Sequence, residues 1–421
     1  MKGSALLPLF VAALTPFLVL TLIVSGTGFG LIAWKPPFLW SHTFGVSGAD
    51  NGAAVAASDS SGVYVQGYFN STGVGADSGI LFLNKYDPSG GVVWMRTIRS
   101  ANYSYGNGLS IEPDAIYLSV SNLTGSFVQK YDITGTKLWE REYVNQTSLD
   151  DVVSSSTTNL YVAWAKGNAL FIREYEGNGG VLWTDEFYNS TYFGVITGLY
   201  GSGSGVYIVG DNVVGDPPKN GEFLIEYDQT GHLVLNEQLP LEGVVGVSGD
   251  STGIYLSGAS LRKYDFRGSL VWRTQIDSPD PPPLGHSSVS VEASGIYLSL
   301  HTNFHDLLMK YDLNGNVVWT LQMGYTQDHD APGGYRLAPG YGGVYVAASV
   351  KEPSDNIAFV GKVSASASLV VFGVNPPLSF FILSGMVVGS AASLFSFRRL
   401  RRRRVRPPRI GPAQRSLPST D

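Results

Sequence analysis
A ten-residue phrase, Lys-Tyr-Asp-x-x-Gly-x-x-x-Trp, recurs along this chain, as at Lys85-Tyr86-Asp87-Pro88-Ser89-Gly90 running to Trp94. Its tyrosine returns at Tyr131, Tyr175, Tyr227, Tyr264 and Tyr311. Eight residues after each stands Trp94, Trp139, Trp183, Leu235, Trp272 or Trp319, so only Leu235 departs. A constant offset means a rigid local unit. Asp-x-x-Gly between two runs rich in β formers is turn chemistry, because Asp bonds the backbone ahead of it and Gly accepts positive φ. The phrase therefore predicts a β-hairpin.

A second phrase, Gly-Val-Tyr-Val or a close variant, places tyrosines at Tyr64, Tyr117, Tyr161, Tyr207, Tyr255, Tyr297 and Tyr345, at spacings of 42 to 53 residues. It follows turns such as Asp59-Ser60-Ser61-Gly62. Each period then reads as four short strands, a to d, with tight a–b and c–d turns, which is the blade of a β-propeller. The expected fold is all-β: a seven-bladed propeller of four-stranded antiparallel blades over residues 38–363. Abundant glycine and aromatic residues suit many short strands joined by turns.

Over Phe38 to Val371 these phrases resemble the SBBP family of bacterial and archaeal propeller repeats. The Tyr-Asp-x-x-Gly-x-x-x-Trp hairpin is also similar to blades of PQQ-like quinoprotein propellers. The second resemblance implies a possible enzyme with metal-binding acids and a stacking residue at the channel mouth. The sequence does not place those groups, and the chain has no cysteine for the vicinal disulfide of some such proteins. Zero cysteines also exclude catalytic thiols and cysteine-ligated metals.

The seventh blade needs a d strand. Phe38-Leu39-Trp40 and Leu369 to Phe372 compete for the slot. Closure by the strand at Trp40 is expected, because it brings both chain connections to one face and pairs edges that would otherwise be exposed.

Two apolar segments flank the repeats. Gly3 to Trp34 carries no charge, and Ala5 to Val24 is long enough to span a bilayer. Residues 1–34 are read as an anchor or signal segment, and small residues near Ser25 to Gly30 leave cleavage open. After a linker, 364–377, residues 378–397 read as a transmembrane helix. Residues 398–421 form an Arg-rich tail, expected in the cytoplasm. With Lys2 ahead of the first segment, both termini are expected inside and the propeller outside, with membrane lipid as one partner. Residues 35–397 hold 18 basic and 33 acidic residues, a balance that repels nucleic acid.

The b–c and d–a loops vary in length, and variable loops on a rigid scaffold carry function. All five Asn-x-Ser/Thr sequons are expected there: Asn70 and Asn122 in b–c loops, Asn102, Asn145 and Asn189 in d–a loops. They are candidate glycosylation sites in a host that glycosylates its surface proteins. His301 and His305, Asp328-His329-Asp330 and the stretch Asp211 to Glu222 group metal-ligating residue types without the spacing of a dedicated metal site, and they read as ordinary loop residues. No catalytic residue, metal ligand or cofactor site is assigned. The functional expectation is a surface binding, adhesion or scaffold protein that presents its membrane-distal loops to an envelope protein or a glycan. A quinoprotein-like or other channel enzyme is the alternative.

Overall fold
A computed structural model describes residues 38–365, apart from the inter-strand stretches 45–48, 72–79, 99–102, 123–124, 145–151, 156–158, 189–191, 215–218, 277–286, 302–304, 326–335, 341 and 352–355. The chain divides into two compact units, 1–368 and 369–421. The second lies wholly outside the described residues, as do the segments 1–34 and 378–397, the tail, and Leu369 to Phe372. Among the described residues no helix is long and apolar enough to cross a membrane.

The described residues form seven four-stranded antiparallel sheets. Blade 1 is β2 (Ala49–Asp59), β3 (Gly62–Ser71), β4 (Ile80–Tyr86) and β5 (Val92–Ile98). Blade 2 is β6 (Tyr103–Glu112), β7 (Ala115–Asn122), β8 (Ser126–Asp132) and β9 (Lys137–Val144). Blade 3 is β10 (Val152–Ser155), β11 (Asn159–Lys166), β12 (Ala169–Glu176) and β13 (Val181–Tyr188). Blade 4 is β14 (Tyr192–Gly201), β15 (Gly205–Val214), β16 (Lys219–Asp228) and β17 (Leu233–Leu239). Blade 5 is β18 (Gly246–Asp250), β19 (Gly253–Ser257), β20 (Ser260–Tyr264) and β21 (Leu270–Gln275). Blade 6 is β22 (Ser287–Glu292), β23 (Gly295–His301), β24 (His305–Tyr311) and β25 (Val317–Tyr325).

Blade 7 is assembled from both ends of the propeller. Its sheet order is β1–β28–β27–β26, with β26 (Arg336–Gly340), β27 (Gly343–Lys351), β28 (Asn356–Ser364) and β1 (Phe38–Phe44). Trp40 pairs with Lys362, the same register by which Trp94 pairs with Lys85 and Trp139 with Lys130. The b strands are buried on both faces between neighbouring blades, which is why Val63, Tyr64 and Val65 and their counterparts are all apolar or aromatic.

The repeated phrase holds the joint between blades as well as the hairpin. Asp87 Oδ1 accepts the Ser89 hydroxyl at 2.6 Å and the Ser89 and Gly91 amides at 2.8 and 2.9 Å, and these hydrogen bonds, the hydroxyl's first, hold its carboxyl below the usual range. Gly90 has φ +93°, and a Cβ there would lie 2.7 Å from the Trp40 ring of the preceding blade. Gly231 repeats this with φ +82° against Trp183. The indole then donates Nε1–H to the next blade's turn: Trp40 to Pro88 O at 3.1 Å, Trp94 to Ile133 O at 3.1 Å, Trp139 to Gly177 O at 3.0 Å. Each tryptophan also packs on its own blade's b-strand tyrosine, as Trp94 does on Tyr64 at 6.0 Å. Where Leu235 breaks the pattern, Phe266 from the turn of blade 5 takes the place of the indole against Tyr207, at 6.1 Å.

Candidate functional site
The a–b and c–d turns share one face of the propeller. Both ends of the described chain, Phe38 and Ala365, lie on it, and the Ala365 amide donates to Gly342 O in the a–b turn of blade 7 at 2.9 Å. The b–c and d–a connections share the opposite face.

That opposite face is described most fully between blades 4 and 5. Blade 5 has the shortest b and c strands, five residues each, joined by Gly258-Ala259, which leaves a notch. The connection 240–245 fills it: Ala259 N donates to Glu242 O at 2.7 Å and Val245 N to Ser257 O at 2.9 Å. A Cβ on Gly258 would lie 2.8 Å from both Glu242 O and Gly243 O, so a side chain there would push this connection out.

Beneath it lies a charge cluster. Glu222, fully buried on β16, accepts the Glu242 amide and the Val244 amide (3.1 Å) through Oε1. Its Oε2 meets Arg262 of blade 5 at 3.2 Å. Arg262 is itself buried, and its Nε lies 3.9 Å from Glu242 Oε2. Glu242 Oε1 pairs with Arg273 at 3.0 Å. A buried ion must be paired and hydrogen-bonded to be tolerated, and both buried ions here are. Asp211 faces Glu222 across the β15–β16 ladder. Burial, and then the Glu222 charge, push its carboxyl up to about 6.

This corrects the reading of Asp211 to Glu222 as a loop of solvated acids. Asp211–Val214 and Lys219–Glu222 are paired strand, and only 215–218 connects them. The Gly-Asp-Pro-Pro run marks the turn and hides how far the strands continue on either side. The cluster presents matched carboxylates and guanidinium groups, and among the described residues no group of three or more His, Asp or Glu could hold a metal.

Asn70 and Asn122 lie in strand rather than loop, in the last residues of β3 and β7 at their b–c ends. Asn102, Asn145 and Asn189 lie outside the described residues, as does Asp328-His329-Asp330. His301 ends β23, and its Nδ1 lies 2.5 Å from Asp306 Oδ1 on the neighbouring strand.

The central channel is walled by the seven a strands. It holds a cavity of about 270 Å³ lined by hydroxyls, among them Ser58, Ser110, Ser154, Ser248 and Ser290, and by small or aliphatic side chains. Ser58 Oγ donates to Pro339 O, and Ser154 Oγ accepts the Gly201 amide at 2.8 Å, so these serines stitch one a strand to another. Among the described residues that line it, none carries a charge.

No protein-family model matches the chain, and no curated protein matches it. Among solved structures the chain is similar to the computationally designed Ika8 protein, at 10% identity and a TM-score of 0.45, covering 76% of this chain and 98% of that one.

Proposed function
We propose that this chain is a membrane-tethered propeller of the cell surface, which captures an envelope protein or a glycan through the connections of its b–c and d–a face. The observation that carries this is topological. Both ends of the described chain lie on the face of tight, repeated turns, and both lead toward a long apolar segment of the sequence. The variable connections therefore point away from the tether, where a partner would meet them. The two segments read as membrane spans, with the Arg-rich tail inside, and the sequons fall at or beside the connections of the outward face.

Binding is favoured over channel catalysis by the channel lining. A metal-dependent quinone site needs convergent carboxylates, and the cavity offers hydroxyl and aliphatic groups. The kinship to SBBP-type or PQQ-like repeats is accordingly proposed for the blade plan rather than for an activity.

Two experiments test the reading. Protease shaving of intact cells is expected to release the repeats and spare the tail; loss of the tail with intact repeats would reverse the orientation. Crosslinking and pull-down of the full chain from native membranes is expected to recover a specific partner that is lost when 215–218 or 326–335 is replaced. Stoichiometric recovery of a redox cofactor instead, with turnover, would overturn the binder.

A further inference from the structure
The exposed apolar surface of the propeller is concentrated at one level. Of the twenty large hydrophobic side chains that are exposed among the described residues, fifteen lie in the c–d turns or the first residues of the d strands. The residue before each Trp, or before Leu235, is apolar in all seven blades: Leu39, Val93, Leu138, Leu182, Val234, Val271 and Val318. These are 50 to 60% exposed. The position before that is Val92, Val181, Leu233, Leu270 or Val317 in five blades, and each of these is exposed too.

Further along the same strands the exposed positions turn polar, as at Arg96, Glu142, Glu186, Glu237 and Gln275, with Met95 and Tyr188 the exceptions. A solvated outer strand is expected to be polar throughout its exposed positions. Here the apolar part is a band about two residues tall, roughly 7 Å at the rise of a strand. The band rims the face on which Phe38 and Ala365 lie.

From this rim we infer a lipid-contacting surface: the start of each d strand rests in the headgroup boundary of the bilayer that holds the chain. The inference rests on the tether reading above and adds the orientation and the contact. Its occupant follows from where the chain leads, since both ends of the described chain, Phe38 and Ala365, lie on this face and the apolar segments lie beyond them in the sequence. Thirteen residues separate Val24 from Phe38, and twelve separate Ala365 from Leu378, which limits any gap to about 45 Å at full extension. The depth of the band matches the ~5–10 Å by which interfacial elements enter the headgroup and acyl boundary. The turn tips below it are mostly uncharged, Ser89, Thr134, Asn178, Thr230 and Asn314, with Arg267 the exception.

The turn acids Asp87, Asp132, Asp228, Asp265 and Asp312 stand next to the rim, and side-chain and backbone hydrogen bonds within the turns hold the carboxyls of Asp87, Asp132, Asp228 and Asp312 below their ordinary range. The contact is therefore hydrophobic in origin, and a neutral or zwitterionic surface suits it better than an anionic one.

The chain has no cysteine, so single labels report without background. The test uses the full chain in phosphatidylcholine vesicles, carrying a nitroxide at Leu182→Cys or Val271→Cys on the rim, or at Leu241→Cys on the opposite face. The rim labels are expected to lose access to an aqueous relaxant by about threefold or more relative to Leu241, and to gain access to oxygen, as labels at the bilayer interface do. Replacing a third of the lipid with phosphatidylglycerol at low salt is expected to weaken that protection. Three outcomes would overturn the inference. If the protein floats with the vesicles but its rim labels are as wet as Leu241, the rim reading alone fails. If protection appears only at high protein-to-lipid ratio without oxygen enrichment, the rim is a contact between copies. If the protein does not float with the vesicles, the tether fails and the inference with it.

Discussion

Trp40→Ala is expected to destabilise the propeller as much as Trp94→Ala, although Trp40 lies some 320 residues from its partners in blade 7. Both indoles are partly buried and make equivalent contacts. Trp40 packs on Tyr345 at 5.9 Å and stacks on Tyr86 of the next blade at 6.1 Å, and its Nε1 reaches Pro88 O at 3.1 Å. Trp94 packs on Tyr64 at 6.0 Å and reaches Ile133 O at the same distance. Removing an indole that hides on the order of 100–150 Å² costs ~2.5–4 kcal/mol at about 25 cal/mol per Å². The lost hydrogen bond adds ~1 kcal/mol. A total of ~3–5 kcal/mol is the range for large aromatic truncations in cores. Denaturant unfolding followed by far-ultraviolet circular dichroism, with the full chain in one detergent, measures both variants. Limited proteolysis is expected to cut first near β1 in Trp40→Ala, because the closing strand has lost its anchor. The argument fails if Trp40→Ala costs less than ~1 kcal/mol while Trp94→Ala costs the full amount, since a closing strand that contributes nothing is not part of the blade.

Gly90→Ala, with φ +93° and the Trp40 ring 2.7 Å from the new Cβ, is expected to cost more than Gly167→Ala, where φ is +63° and nothing lies within 4 Å. Thermal unfolding should give ~1 kcal/mol for Gly167→Ala and ~2–3 for Gly90→Ala, and equal costs would refute the seat for the indole. Glu222→Gln leaves Arg262 buried beside a neutral partner and is expected to cost ~2–4 kcal/mol. The pair Glu222→Gln with Arg262→Met should recover part of that loss in a double-mutant cycle, and simple additivity would show that the two charges do not couple. Asp211 is raised to about 6 from an ordinary value near 3.8, so the fold favours its protonated form. Its contribution is present below about pH 4 and is lost as pH rises through 6, so Asp211→Asn should gain ~1–2 kcal/mol on wild type between pH 4.5 and 7.5, after allowance for partial solvation. A gain that does not change over that range would remove the assignment.

The blade count and the a–b and c–d turns were legible because one phrase encodes two requirements at once, a tight hairpin and a flat seat for the neighbouring tryptophan. The exception at Leu235 was visible, but its remedy was not, since Phe266 belongs to the next period and follows an Asp like any other turn residue. The strand ends on the b–c face are hidden in the sequence for a related reason. Asp211, Asn212 and Glu222 are polar residues on either side of a Pro-Pro run, which is how a loop is written, yet Asn212 and Glu222 are buried. What makes them strand is the far end of the cluster, Arg262, forty residues on and alone among its repeat counterparts in being a buried base at that point. The rim of the d strands escaped notice because a valine or leucine beside a tryptophan reads as core in any single repeat. Only the pairing scheme shows that these residues stand on the outer strand.

The tyrosine at the centre of each b strand ties these levels together. Its hydroxyl needs an acceptor, and the slot five residues earlier supplies one in blades 1, 2 and 5: Asp59 at 3.1 Å from Tyr64, Glu112 at 3.1 Å from Tyr117, Asp250 at 2.9 Å from Tyr255. In those blades the c strand places a lysine over the ring, as Lys85 does at 4.7 Å, where it also meets the field of the acid. Blades 3 and 4 carry Ser156 and Ser202 in the acid slot, and there the lysine is replaced by Glu174 or Glu226. Glu226 takes the Tyr207 hydroxyl itself, at 2.7 Å. Blade 7 has Gly340 in the slot and keeps Lys362. Glu292 of the blade before it accepts the Gly340 amide at 2.8 Å; burial pushes the Lys362 ammonium down, and the Glu292 charge opposes that shift. In blades 1, 2, 4 and 5 one acid takes one tyrosine hydroxyl, and the lysine is kept where that acid comes from the end of the a strand rather than from the c strand. Changing Lys85 to Glu alone would crowd two carboxylates at Tyr64, and changing Glu226 to Lys alone would leave Tyr207 without its acceptor. Those four blades are alike in this shared constraint on charge even where the residues that meet it differ.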